Sequence, residues 1–298
     1  MYDFKISIVG CGYIGRKIAQ ILSAKALSAC CFVMSEKSRQ SCELLGLQVQ
    51  RLDLDNVQRA SGFEESVIVY LVPPSGGNKV AKNKMDMRMG HFVAMLEACP
   101  VAPKKILLIS TTGVYGDCEG RWIDETQPAN PQADRAHRRL SAESQLKAYC
   151  ERAQVACVIF RVPGIYCADK LPLRRITSGE PIVRAEDSGY TNRIHADDLA
   201  AFCVEVLTAE CEQGVYNCCD GQPSTMYDYF TRVATAMNLP APEEISLQQA
   251  QQQLSAGMLS YLAESKRISN KKLLRHFKTR LQYPDLQAGL ENCVQSSL

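Results

Sequence analysis

Short apolar runs and amphipathic stretches alternate along the first two-thirds of the chain. Runs at 4–9, 29–34, 47–52, 66–72, 104–110 and 155–162 have strand length and are rich in valine, isoleucine and leucine. Such continuous runs suit parallel strands buried on both faces. Between them, apolar residues recur at helical spacing: Ile14, Ile18, Ile21 and Leu22 in one segment, Met85, Met89, Phe92, Val93 and Leu96 in another. Met85, Met87, Met89 and Met95 are expected to fill core there, because flexible thioethers suit irregular gaps. Strand–helix alternation predicts an α/β chain with a parallel sheet wound by right-handed crossovers. After about 165 the pattern loosens into a polar run, Arg174 to Arg193, and several short helices. The tract "QQAQQQ" at 248–253 is flanked by apolar residues and reads as a solvated helix face.

Composition narrows this picture. The 298 residues suffice for one large α/β domain, or for one with a smaller companion. Apolar and charged fractions of 46% and 22% are those of a soluble globular protein. A net charge of +2 argues against a dedicated nucleic-acid binder. No apolar run reaches the length of a membrane span, and "MYDFKISIVG" lacks the pattern of a signal peptide. A cytoplasmic protein without membrane partners is expected. The fourteen cysteines include no Cys-x-x-Cys, and none of the four histidines is spaced as a zinc pair. Buried reduced thiols, with no metal site, are the expectation.

The stretch "ISIVGCGYIGRKIAQIL" sets Gly10, Gly12 and Gly15 between the first strand and the first helix. In that context G-x-G-x-x-G is a dinucleotide-binding turn. Gly10 permits the tight turn, Gly12 lets a pyrophosphate approach the backbone, and Gly15 lets helix and strand pack closely. The diphosphate sits on the helix N-terminus, with Tyr13 and Ile14 in its first turn. The second strand ends in "CCFVMSEKSRQ". If Glu36 faces the adenosine ribose, NAD is favoured; if Ser35 does, Lys37 and Arg39 can pair with a 2′-phosphate. NADP is slightly favoured. The alternative for these residues is ordinary capping of a helix start. Asp53, after the third strand, lies where a carboxylate can accept from the adenine amine, with Leu54 beside it.

Further motifs follow in order: "ISTTGVYGD" (109–117), "DETQPANP" (124–131), "RVPGIY" (161–166), "RIHADDLA" (193–200), "ISNKKLLRHF" (268–277) and "YPDLQAGL" (283–290). Together with the glycine turn they resemble the NAD-dependent epimerase/dehydratase family, the extended short-chain dehydrogenases/reductases. The resemblance implies a Rossmann doubly wound parallel sheet with a smaller C-terminal substrate lobe. The expected division is a Rossmann domain over 1–164, completed by about 192–218, with 165–191 and 219–298 forming the lobe. It implies an NAD(P) cofactor and a small-molecule substrate, often a nucleotide sugar. Thr111 matches the catalytic Ser/Thr. Val72 and Pro73 after the fourth strand, and Pro163, Gly164 and Ile165 after the sixth, match cofactor-contacting loops. Asp198 is expected to N-cap the helix after "RIHA", and His195 and Asp197 to make structural hydrogen bonds. A homodimer is a further expectation.

The family's catalytic Tyr-x-x-x-Lys pair is absent. Counting back from Glu143 and forward from Pro131 puts Arg135 at the tyrosine position and Arg139 at the lysine position. Arginine at 139 can still hydrogen-bond ribose hydroxyls, but at 135 it cannot serve as acid/base, because a guanidinium stays protonated. His137 titrates in the right range yet points to nearly the opposite helix face; Tyr115 is expected to be structural, and Arg138 a solvated charge. The resemblance is therefore to the atypical branch lacking the pair. Two functions follow: an oxidoreductase or epimerase with a rearranged acid/base using Thr111, Arg135 and Arg139, or a non-catalytic cofactor-binding sensor or assembly factor. A nucleic-acid function for Arg135, Arg138 and Arg139 lacks the interleaved aromatics it needs.

Overall fold

A computed structural model of the chain describes residues 5–56, 62–75 and 84–296. Phe4, the first residue of the first apolar run, lies outside them. The strands, in chain order, are β1 (Ile6–Val9), β2 (Ala29–Val33), β3 (Gln48–Arg51), β4 (Val67–Tyr70), β5 (Lys105–Thr111), β6 (Trp122–Ile123), β7 (Ala156–Val162) and β8 (Gly164–Tyr166). Then come β9 (Ile182–Val183), β10 (Tyr190–Thr191), β11 (Arg193–His195), β12 (Gly214–Asn217), β13 (Ser224–Thr225), β14 (Glu244–Ile245) and β15 (Arg267–Ile268). The helices are α1 (Tyr13–Ala24), α2 (Glu36–Glu43), α3 (Met87–Glu97), α4 (Asp134–Ala153), α5 (Leu173–Thr177) and α6 (Ala196–Thr208). The lobe and C-terminal segment add α7 (Met226–Ala236), α8 (Leu247–Gln253), α9 (Ala256–Leu262), α10 (Lys271–His276) and α11 (Leu286–Gln295).

Seven strands make one parallel sheet in the order β12-β7-β5-β4-β1-β2-β3. The apolar runs become its strands because their side chains are buried on both faces, as at Ile8, Ile68, Val69 and Leu107. One face packs against α1 and α6 through Ile18, Leu22, Leu199 and Phe202. The other packs against α3 and α4 through Phe92, Leu96, Leu146 and Tyr149. β3 departs from the expectation of two-sided burial: it is the sheet edge, and only Val49 is even partly covered.

Strand order reverses between β1 and β4, which opens a crevice beyond their C-terminal ends, the usual ligand site of such sheets. A separate core of Tyr166, Leu171, Ile176, Ile182, Phe230 and Leu290, among others, holds the smaller lobe together. The C-terminal segment is shared between the two cores, because Leu273 and Phe277 pack under the large sheet while Leu286 and Leu290 pack in the lobe.

Several side chains stand differently from expectation. Met89 and Met95 are core, on the face of α3 that also carries Phe92 and Leu96, whereas Met87 and Met85, the latter ahead of the helix, are exposed. Arg138 is buried rather than solvated, since its face of α4 is covered. The N-cap of α6 is His195, whose Nδ1 accepts the Asp197 N–H at 3.3 Å. Asp198 instead accepts the backbone N–H groups of Gln282 and Tyr283 at 2.7 and 3.0 Å, stitching the C-terminal segment to α6. The glutamines of α8 are exposed around a buried Ala250. Among the described residues no helix is long and apolar enough to cross a membrane.

Candidate active site

The glycine turn lies at the reversal point. Gly10 adopts φ +88°, and a β-carbon there would stand 2.9 Å from the Val72 nitrogen, so only glycine fits against the end of β4. At Gly15 a β-carbon would press on Ile8 and Cys11 at 3.1 and 3.2 Å, holding α1 close to β1. At Gly12 it would meet nothing nearer than 3.9 Å, leaving open space where a ligand can approach the backbone. No side chain caps α1, so its first-turn N–H groups point into the crevice with the positive end of the helix dipole behind them. This cradle fits a dinucleotide diphosphate.

The adenosine side is less committed. Ser35 N-caps α2, its hydroxyl accepting the Ser38 N–H at 3.2 Å. Arg39 is held by Glu36 at 2.6 Å and by Glu43 at 2.6 Å, and the Glu36 carboxyl is pulled down by that bond. Lys37 is exposed. The two oxygens of Asp53 accept from the Asp55 N–H and the Asn56 amide, which pulls its carboxyl below the usual range. Leu54 is buried, its carbonyl bonded to the His91 ring at 2.7 Å.

Across the crevice, Thr111 ends β5 and its Oγ1 accepts the Gly113 N–H at 3.2 Å. Gly113 lies against Ala136 of α4, 3.7 Å from the β-carbon it would carry. Arg139 and Arg135 leave this helix in different directions. Arg139 is buried and donates to the Val72 carbonyl at 3.1 Å, so it braces the loop of Val72 and Pro73. Arg135 is exposed; it donates to Ser260 Oγ at 2.7 Å and stacks on Tyr261, 4.3 Å from the ring centroid, tying α4 to α9.

Behind Thr111 runs a buried polar chain. Glu143 accepts from Ser110 and from Arg161 at 2.5 and 2.8 Å, and Arg161 stacks on Tyr115. Tyr115 donates to Asn217 at 2.7 Å, and burial pushes its hydroxyl up to about 12. Tyr115 is therefore a strut between the turn after β5 and β12 rather than an acid.

On the lobe side, Pro163, Gly164 and Ile165 lead into β8, which pairs in parallel with β11. Gly164 is exposed, with Arg193 directly behind it. Tyr13 leans from the glycine turn onto the lobe: its hydroxyl bonds Asp169 at 3.4 Å and Cys167 at 3.1 Å, and Lys17 and Lys170 flank its ring. Lys17 also pairs with Asp197 at 2.5 Å. Sequence reasoning passed over the surroundings of Arg193: Asp220, Tyr229 and Thr191. The available signal was a charged residue opening the apolar strand of "RIHADDLA".

Residues 6–219 match the family model described as the NAD dependent epimerase/dehydratase family. Protein YeeZ of Escherichia coli (strain K12) is 21% identical over 294 residues, covering 94% of this chain and 97% of that protein. A functionally unknown conserved protein from Silicibacter pomeroyi DSS superposes with a TM-score of 0.80 at 24% identity, covering 99% of both chains. A UDP-glucuronic acid 4-epimerase from Bacillus cereus, in complex with NAD, superposes with a TM-score of 0.74 at 18% identity, covering 98% of this chain and 99% of that one.

Proposed function

The chain belongs to the NAD-dependent epimerase/dehydratase family, and from that membership we propose that it is an NAD(P)-binding oxidoreductase of epimerase/dehydratase type. Its substrate is a small carbonyl, a sugar or a nucleotide sugar, and its acid/base chemistry is arranged differently from the Tyr-x-x-x-Lys pair. The observation that carries this reading is the open cradle at Gly12 and the uncapped α1 facing the same crevice as Thr111.

Gly10, Gly12 and the first turn of α1 hold the diphosphate of the dinucleotide. When bound, the nicotinamide supplies hydride chemistry. Because Thr111 Oγ1 already accepts from Gly113, its own O–H is left to donate to a substrate oxygen. Arg139 keeps the Val72–Pro73 loop in place beneath the cofactor. Arg135 contributes fixed charge and no proton, since guanidinium does not titrate at working pH.

The finer preference is for NADP. No carboxylate closes β2, the Glu36 carboxylate is turned to Arg39, and Lys37 is exposed beside the Ser35 and Ser38 hydroxyls. Calorimetric titration with both dinucleotides is expected to give the smaller Kd for NADP; a smaller Kd for NAD reverses the preference.

A second reading is a dinucleotide-binding sensor without turnover. It draws on the fact that Arg135 and Arg139 both spend hydrogen bonds on the protein itself. Single-turnover assays with a panel of carbonyl and sugar-nucleotide substrates separate the two. Hydride transfer that falls at least about 100-fold in Thr111→Ala supports the enzyme. Tight dinucleotide binding with no transfer on any substrate supports the sensor.

A further inference from the structure

Arg193 is a buried cation whose needs the protein meets only in part. It is 6% exposed, and its guanidinium stacks on Tyr229 of α7, 3.6 Å from the ring centroid. Nη2 donates to Thr191 Oγ1 at 3.0 Å and lies 4.0 Å from the Met226 sulfur. Nε is buried with no hydrogen-bond partner. Nη1 stands 3.2 Å from where a β-carbon on Gly164 would be, and Gly164 itself is exposed. The missing side chain at 164 thus leaves a window between the guanidinium and the cleft. None of the ion pairs among the described residues includes Arg193, in contrast to Arg161, which is equally buried but paired with Glu143.

A buried charge with no carboxylate in contact is costly, and removing water from it makes an incoming anion correspondingly more valuable. Two acids lie near. Asp228 is committed to the capping box of α7 with Thr225. Asp220 receives the Gln222 N–H on Oδ1, while its Oδ2 is buried and unpartnered. Its backbone N–H donates to the Arg193 carbonyl at 2.9 Å, which fixes the two residues side by side; their charges attract, but no hydrogen bond or ion pair joins their side chains.

We propose that Arg193, seated on Tyr229 and held by Thr191, binds an anionic oxygen group of the substrate, a carboxylate or a phosphate, through the window at Gly164. The seat makes Arg193 the residue that selects charged over neutral substrates. It rests on the reading of this cleft as a substrate site next to a bound dinucleotide. Arginine suits the task because its planar fork meets two oxygens at once while its face stays on an aromatic ring.

The test uses the full chain saturated with dinucleotide and three probes titrated by calorimetry: glucuronate, glucose 1-phosphate and glucose. At least one anionic probe is expected to bind about 10- to 100-fold more tightly than glucose, and the tighter of the two identifies the group as carboxylate or phosphate. Arg193→Gln is expected to erase that gap, and Arg193→Lys to retain part of it, so a poorly folding glutamine variant leaves the lysine variant to decide. Dinucleotide affinity, measured in the same samples, reports on the cofactor site. Its absence in the wild type would sink the proposed function; the three probes are then compared on the chain without dinucleotide, so the two failures stay distinguishable. Equal binding of all three probes by the wild type overturns the inference, as does an unchanged gap in both variants. A crystal structure in which a fixed water joins Arg193 Nε to Asp220 Oδ2 at saturating probe overturns it as well.

Discussion

Asp220 shows how far surroundings can change one side chain. Burial, with Asp198 and Asp285 nearby, holds its carboxyl up at about 7, even though Arg193 and the Gln222 N–H pull the other way. An acid whose folded pKa is raised binds more protons folded than unfolded. Its contribution to stability is therefore fully present below the ordinary carboxylate range and shrinks as pH rises toward 7. Over that window the change is at most about 4 kcal/mol. Asp220→Asn removes the titration, so the melting temperature of the variant relative to wild type is expected to climb between pH 5 and pH 7.5. A constant difference across that range would show that Asp220 is ionised throughout. At this scale the sequence was legible where a residue's role follows from backbone sterics, as at Gly10 and Gly15. It was not legible where the role depends on direction. Arg135 and Arg139 fall in the register that Glu143 and Pro131 define, but nothing local says that one braces Val72 and the other reaches α9.

The N-terminus of α1 joins three glycines with separable duties. Gly12→Ala adds a methyl group to open space, so folding is expected to change by no more than about 0.5 kcal/mol. Dinucleotide affinity, measured by fluorescence quenching or calorimetry, should fall at least about 10-fold because the methyl group occupies the approach to the backbone. Gly10→Ala behaves differently: strain at positive φ and the clash with Val72 are expected to cost about 2 kcal/mol or more in denaturant unfolding. Equal effects of the two variants on both quantities would contradict the division of roles. Elements of this kind were readable because burial on both faces leaves a mark in composition, and six of the seven sheet strands stand where the apolar runs lie. The seventh, β12, carries the short run "GVYN" and joins the sheet only through tertiary pairing with β7. The cap of α6 was misplaced for a similar reason: Asp198 looked like a cap, but the C-terminal segment, 84 and 85 positions away, takes its oxygens.

At the scale of the molecule, the chain beyond 264 works as a strap rather than an appendage. Ser265 accepts the N–H groups of Cys118 and Gly120, β15 pairs with β6, and Lys266 reaches the Gly116 carbonyl at 2.6 Å. Leu273 and Phe277 then enter the core under the sheet, and Leu286 and Leu290 enter that of the lobe. A chain ended after Glu264 is expected to lose its cooperative thermal transition altogether, as judged by near-ultraviolet circular dichroism. A retained sharp transition would mean the Rossmann half closes its core without the strap. Such crossings leave no local trace, which is why the sequence divides more cleanly into two lobes than the packing does.

The two arginines of α4 also bear on how far this helix can be altered. Each carries an obligation unrelated to proton transfer: one anchors a loop carbonyl from a buried slot, the other bridges to α9. Placing tyrosine at 135 and lysine at 139 would remove both supports at once, so the double variant is expected to be less stable than the wild type in denaturant unfolding. Any exchange at these two positions therefore has to replace two structural contacts before it can add chemistry.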